Sequence, residues 1–155
     1  MNITIKGFEE ISIDKTIKLM ELTEDYQHNF NSPIIAAIVD GKLRELTYVL
    51  DKDCEVEFID MSTETGMKIY LRSLIFLFVK ACHDVIPNCQ VRVEHSLGDG
   101  LYSELMAEEP IDEEEVEAIE NRMRQLVEKD VPIKKYKMPI EDALDIFKKA
   151  GMQDK

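Results

Sequence analysis

The residues able to do chemistry are few and scattered. His28, His83 and His95 are the only histidines, and Cys54, Cys82 and Cys89 the only cysteines. No histidine stands three or four positions from another histidine or cysteine, and no CxxC pair occurs, so the spacing of a metal site is missing. Cys82 and His83 are neighbours, which on a helix point to different faces and cannot act as a local thiolate and base. A phosphate-cradling G-x-x-x-x-G-K-[ST] loop, a G-x-G-x-x-G turn, a G-x-S-x-G elbow and an H-E-x-x-H zinc helix are all absent. The sequence therefore predicts buried thiols, no metal, no cofactor in this segment and no catalytic constellation.

What remains is polar residues in apolar company. Arg72 lies in YLRSLIFLFVKACH, residues 70–83, the most apolar stretch of the chain, and His95, Ser96 and Tyr102 lie in VEHSLGDGLY. If these four converge, they border a small cleft, and the planar fork of Arg72 suits a small anionic or nucleotide-like ligand. The same residues also fit a plainer account, with Arg72 snorkelling or pairing with a local carboxylate and His95 facing solvent.

Positioning them takes two units. In the first, NITIK and EISID read as short strands joined at Gly7, with Asp14 as N-cap of a helix over KTIKLMELTEDY. SPIIAAIV reads as a buried strand, Asp40-Gly41 as a two-residue hairpin turn, KLRELTYVL as the returning strand and CEVEFIDM as the closing one. Short strands around one helix predict an α+β fold of the ubiquitin-like β-grasp kind over residues 1–63. STETG, Ser62 to Gly66, is the polar break that places the boundary.

The second unit, residues 64–155, opens with the apolar stretch as a helix ending near Pro87, followed by a hairpin of CQVRVEHSL and LYSELMA about Gly98–Gly100. PIDEEEVEAIENRMRQLVEKDVP predicts a helix with Asp112 as N-cap, Glu115 closing a capping box and Ile111 stapled to Val116. Its apolar stripe is Val116, Ile119, Met123, Leu126 and Val127. IKKYKM reads as a strand, and PIEDALDIFKKAG as a helix with Pro139 in its first turn and Gly151 as its stop.

The chain carries a formal net charge of −13, and residues 104–130 hold 11 acidic against 3 basic side chains. Such a chain lacks the basic field that neutralises a phosphate backbone, which disfavours direct RNA binding. The longest uninterrupted apolar run near Phe76 is Leu74–Val79, too short to span a bilayer, and the charged start MNITIKGFEE is no secretory leader. A cytoplasmic protein without membrane contact is the expectation.

The first unit, through VDGKLREL and CEVEFIDMSTETG, resembles a TGS domain, the β-grasp module at the front of threonyl-tRNA synthetases and some GTPases. The second unit, through VEHSLGDGLYSEL, with its D-G-x-Y turn at Asp99–Tyr102, and EAIENRMRQLVEKDVPI, resembles the editing domain shared by threonyl- and alanyl-tRNA synthetases. That resemblance implies an H-x-x-x-H pair on the apolar helix, where this chain has Arg72 and Phe76. A phenyl ring cannot carry a proton and a guanidinium does not release one near neutrality, so the site is degenerate for hydrolysing a mischarged ester. The family's further Cys and His motif would lie beyond residue 155.

YLRSLIFLFVKA, with Arg and Phe in those places, is also similar to the front of uridine kinase-type nucleoside kinases, where the same two modules precede a P-loop domain. This implies a non-catalytic, ligand-binding or regulatory segment whose partner is a downstream kinase domain of the same chain, with ATP and Mg needed only there. Two alternatives stand beside it: the N-terminal region of a threonyl-tRNA synthetase, and a protein–protein interaction scaffold using the acidic helix from Glu113 to Asp130.

Overall fold

The structure, a computed structural model, describes residues 1–97 and 100–149, and of residues 95–97 the backbone alone. The chain is mixed α and β and packs as two units, Met1–Ser73 and Leu74–Lys155.

The first unit contains β1 (Asn2–Ile5), β2 (Glu10–Ser12), β3 (Ile17–Lys18), α1 (Leu19–Tyr26), β4 (Ile34–Val39), β5 (Lys42–Arg44), β6 (Val49–Leu50) and β7 (Cys54–Asp60). A five-stranded sheet runs β2-β1-β7-β4-β5, with β1 parallel to β7 and the other neighbours antiparallel. Period-two alternation decides which side chains go in. Ile3 and Ile5 of β1 and Cys54, Val56 and Phe58 of β7 are buried against Leu19 and Leu22 of α1. Asp40 and Gly41 both take positive φ, 48° and 74°, as the tight hairpin turn between β4 and β5 requires.

Two local expectations fail here. The helix begins at Leu19 rather than after Asp14, because Ile17 and Lys18 pair with Leu50 and Val49 as a small second sheet. KLRELTYVL is likewise not one strand, since a turn closed by Tyr48 N–H donating to the Glu45 carbonyl at 2.9 Å separates β5 from β6.

α2 (Glu64–Val85) begins in the first unit and ends in the second. The STETG break is its N-terminus: the Thr63 hydroxyl accepts from Gly66 N–H at 3.0 Å and donates to the Asp60 carbonyl at 2.9 Å. The second unit continues with β8 (Gln90–Leu97), β9 (Gly100–Met106), α3 (Glu113–Glu128) and α4 (Ile140–Lys149). β8 and β9 form an antiparallel hairpin, and Gly98 and Asp99 at its predicted turn lie outside the described residues. Ala81, Cys82, Ile86, Cys89, Val91, Ile119 and Leu126 make the core.

Asp112 and Glu115 form the reciprocal capping box that the sequence predicts, with bonds of 2.9 and 3.2 Å. The apolar stripe of α3 is narrower than expected. Ile119 and Leu126 are buried, whereas Val116 and Val127 face solvent, so the staple from Ile111 to Val116 does not bury Val116. IKKYKM is no strand, because the described residues offer it no ladder. Pro139 caps α4 by accepting from Ala143 N–H at 3.2 Å, and Gly151, the predicted stop, lies outside the described residues. No helix among the described residues is long and apolar enough to cross a membrane.

Candidate functional site

The second unit carries an open groove of about 620 Å³ lined by Leu74, Ile75, Phe78, Val93, Gly100, Leu101, Tyr102, Ser103 and Met123. Three elements build it. Leu74, Ile75 and Phe78 come from one side of α2, Val93 and Leu101 from the hairpin, and Met123 from α3. Hydroxyls of Tyr102 and Ser103 are the polar side-chain groups on its wall, and Tyr102 donates to Glu104 Oε1 at 3.3 Å.

Asp84 ties two of those elements together. Its carboxylate accepts from Arg122 Nε at 2.9 Å and pairs with Arg122 Nη2 at 2.8 Å, and Lys80 also donates to it, so the end of α2 is fastened to α3 at the residue next to Met123. The Lys80 hydrogen bond, reinforced by Arg122 against some burial, holds the Asp84 carboxyl below the usual carboxylate range. Burial, with the neighbouring Cys89, pushes the Cys82 thiol up to about 11. Cys82 is therefore a thiol at neutral pH and no nucleophile.

The residues singled out from sequence are placed as follows. Tyr102 lines the groove. Phe76 sits on α2 with its ring 59% exposed, away from the groove lining. Arg72 is exposed on the part of α2 that belongs to the first unit, and no ion pair holds it among the described residues. The side chains of His95 and Ser96, on β8, lie outside the described residues. No group of His, Cys, Asp and Glu that could hold a metal ion occurs among the described residues.

The polar residues of the sequence do not mark this apolar lining. A signal was present: Leu74, Ile75 and Phe78 follow helical spacing on one face, and Leu101 with Ser103 alternates along a strand. Among the described residues the groove offers apolar contact and the hydroxyls of Tyr102 and Ser103, the Tyr102 phenol being its titratable side chain.

The chain is thus a two-unit α+β fold whose second unit carries a mostly apolar groove. No protein-family model matches it. It is similar over most of its length to threonine–tRNA ligases. The Clostridium kluyveri enzyme is 26% identical over 144 residues, 93% of this chain and 23% of the relative. That of Fusobacterium nucleatum is 29% identical over 130 residues, 84% of this chain and 21% of the relative. That of Parvibaculum lavamentivorans is 30% identical over 117 residues, 76% and 18% respectively. The chain spans less than a quarter of the length of these relatives.

Proposed function

We propose that this chain is an N-terminal segment of the threonyl-tRNA synthetase type, a TGS-like β-grasp module over residues 1–63 and an editing-like module over residues 64–155 that binds without hydrolysing. The observation that carries it is the similarity to threonine–tRNA ligases running through both units, over 93% of this chain in the Clostridium kluyveri case. The β-grasp reading draws support from the strand order β2-β1-β7-β4-β5, with the first and last strands parallel and α1 between them in sequence. The non-hydrolytic reading draws support from Arg72 and Phe76 at the positions where the resemblance expects catalytic histidines. Arg72, with His95 and Ser96, is proposed to supply polar contacts to a small anionic or nucleotide-like ligand, and Tyr102 to hold its apolar part. The comparisons back this synthetase-like reading over a nucleoside-kinase front segment, so the ATP and Mg that the latter implied are not proposed.

Two assays test it. Incubation with serine mischarged on threonine tRNA is expected to leave the ester at its uncatalysed lifetime, and acceleration above background would end the non-hydrolytic reading. A thermal-stability panel of threonine, serine, adenosine, AMP and acceptor-stem RNA is expected to give a shift with a small ligand that Tyr102→Ala and Arg72→Ala each reduce. A ligand at about 100 times its Kd stabilises by roughly 2.7 kcal/mol, several degrees for a domain of this size. A flat panel at millimolar concentrations removes the ligand from the proposal.

A further inference from the structure

In the first unit, one cation stands apart by what it lacks. Residues 1–63 hold 13 acidic against 6 basic side chains, so a cation there has carboxylates to choose from, and Lys6 and Lys52 take Glu57 and Asp40 at 2.9 and 4.0 Å. Arg44 takes none. Among the described residues it makes no ion pair and no hydrogen bond, and its Nε is the only buried side-chain nitrogen or oxygen left without a partner. Buried donors are almost always satisfied, so an orphaned one calls for an acceptor that arrives from outside the chain.

The Arg44 side chain is nonetheless held in place. Its Cζ lies 4.6 Å from the centre of the Tyr48 ring. Tyr48 is itself pinned, its N–H donating to the Glu45 carbonyl and its carbonyl accepting from Leu19 N–H, both at 2.9 Å. Stacking occupies a face of the guanidinium and leaves the N–H donors, which lie in its plane, directed outward. Arg44 ends β5, the edge strand of the five-stranded sheet, so the sheet places no strand beyond it. Lys42, two residues earlier, shares its face: Lys42 and Arg44 stand opposite Val39 and Ala37, both buried. Lys42 is exposed and also without an ion pair among the described residues.

We infer that Arg44, stacked on Tyr48 and flanked by Lys42, is a subsite for an oxyanion, the carboxylate or phosphate group of a small ligand. It is independent of the reading given to the groove. The fork meets two oxygens at once, which an ammonium does not, and Lys42 adds positive potential beside it. Nε is closed to solvent, so a second oxygen reaches it only as the guanidinium slides along the ring. The Nε–H proton therefore reports occupancy.

Nuclear magnetic resonance of the isotope-labelled full chain tests this, with the Arg44 Nε–H signal assigned by its loss in Arg44→Lys. Acetate and inorganic phosphate are the probes, and chloride at matched ionic strength is the blank. The signal is expected to move downfield and saturate at roughly millimolar probe, while chloride leaves it in place. A response to acetate alone marks a carboxylate ligand, and one to phosphate alone a phosphorylated ligand; either supports the site. Followed through the Tyr48 amide, Arg44→Lys should weaken binding about tenfold, because a cation stays and the fork goes. Lys42→Gln should weaken it about twofold. Both variants are expected to keep the far-ultraviolet dichroism of the wild type. A signal that follows ionic strength whatever the anion overturns the inference, as does Arg44→Lys binding as tightly as the wild type. So does an Nε–H that exchanges magnetisation with a resident water and ignores both probes, since water would then be the missing acceptor.

Discussion

At the scale of single residues, the join between β7 and α2 is the most constrained point described. Asp60, 5% exposed, accepts from the Ser62 hydroxyl at 2.6 Å and the Ser32 hydroxyl at 2.9 Å, and its own carbonyl crosses Gly66 so closely that a Cβ there would sit 1.8 Å from the oxygen. Helix propensity says that Gly66→Ala should stabilise α2 by about 1 kcal/mol. The close approach is to backbone, which cannot swing aside, so we expect a loss of about 3 kcal/mol instead, read as a lowered urea midpoint. Chiefly through the Ser62 hydroxyl, and then Ser32 and the Ser62 amide, the Asp60 carboxyl is held below its ordinary value despite burial. A folded pKa below the unfolded one means that this contribution is complete above about pH 4 and fades as pH falls through the folded value. Asp60→Asn should therefore cost about 1–3 kcal/mol at pH 7 and give a flatter stability curve below pH 4 than the wild type. A parallel acid limb in both proteins would refute the assignment. None of this was legible in STETG, whose residue types say polar and small but not which carbonyl lies overhead.

Among elements, legibility followed how local the deciding force is. The capping box of α3 rests on bonds between residues three apart, and the sequence shows it outright; Asp112→Ala is expected to lower stability by about 1 kcal/mol. The Asp40-Gly41 turn is equally local. The start of α1 is not legible locally, because Ile17 and Lys18 answer to Leu50 and Val49, more than 30 positions away, and a distant pairing outweighs a weak cap at Asp14. Alternation in IKKYKM predicts a strand only where an edge is on offer, and none is formed there among the described residues. The candidate site shows the same division: Tyr102 was identified from its sequence motif, but the walls contributed by Phe78 and Met123 depend on how α2 meets α3. Asp84 and Arg122 decide that meeting. A double-mutant cycle with Asp84→Asn and Arg122→Gln should return a coupling of about 1 kcal/mol, and zero coupling would make the pair ornamental to the groove.

For the molecule as a whole, the two cores share no residue. One rests on a five-stranded sheet with a parallel central pair, the other on a single hairpin backed by helices, with α4 left uncovered. A two-stranded sheet is marginal without outside packing, so the second unit should open at lower denaturant than the first. The chain has no tryptophan, but its thiols are distributed usefully: Cys54 is buried in the first core, Cys82 and Cys89 in the second. Pulsed thiol labelling across a urea series, read by mass spectrometry, should show Cys82 and Cys89 becoming reactive together and before Cys54. Added salt should move both transitions upward, since a chain of formal net charge −13 repels itself and screening relieves that most in the compact state. If all three cysteines label in one coincident transition, the units fold as a single cooperative body, and the groove then inherits the stability of the sheet rather than of the hairpin that forms its wall.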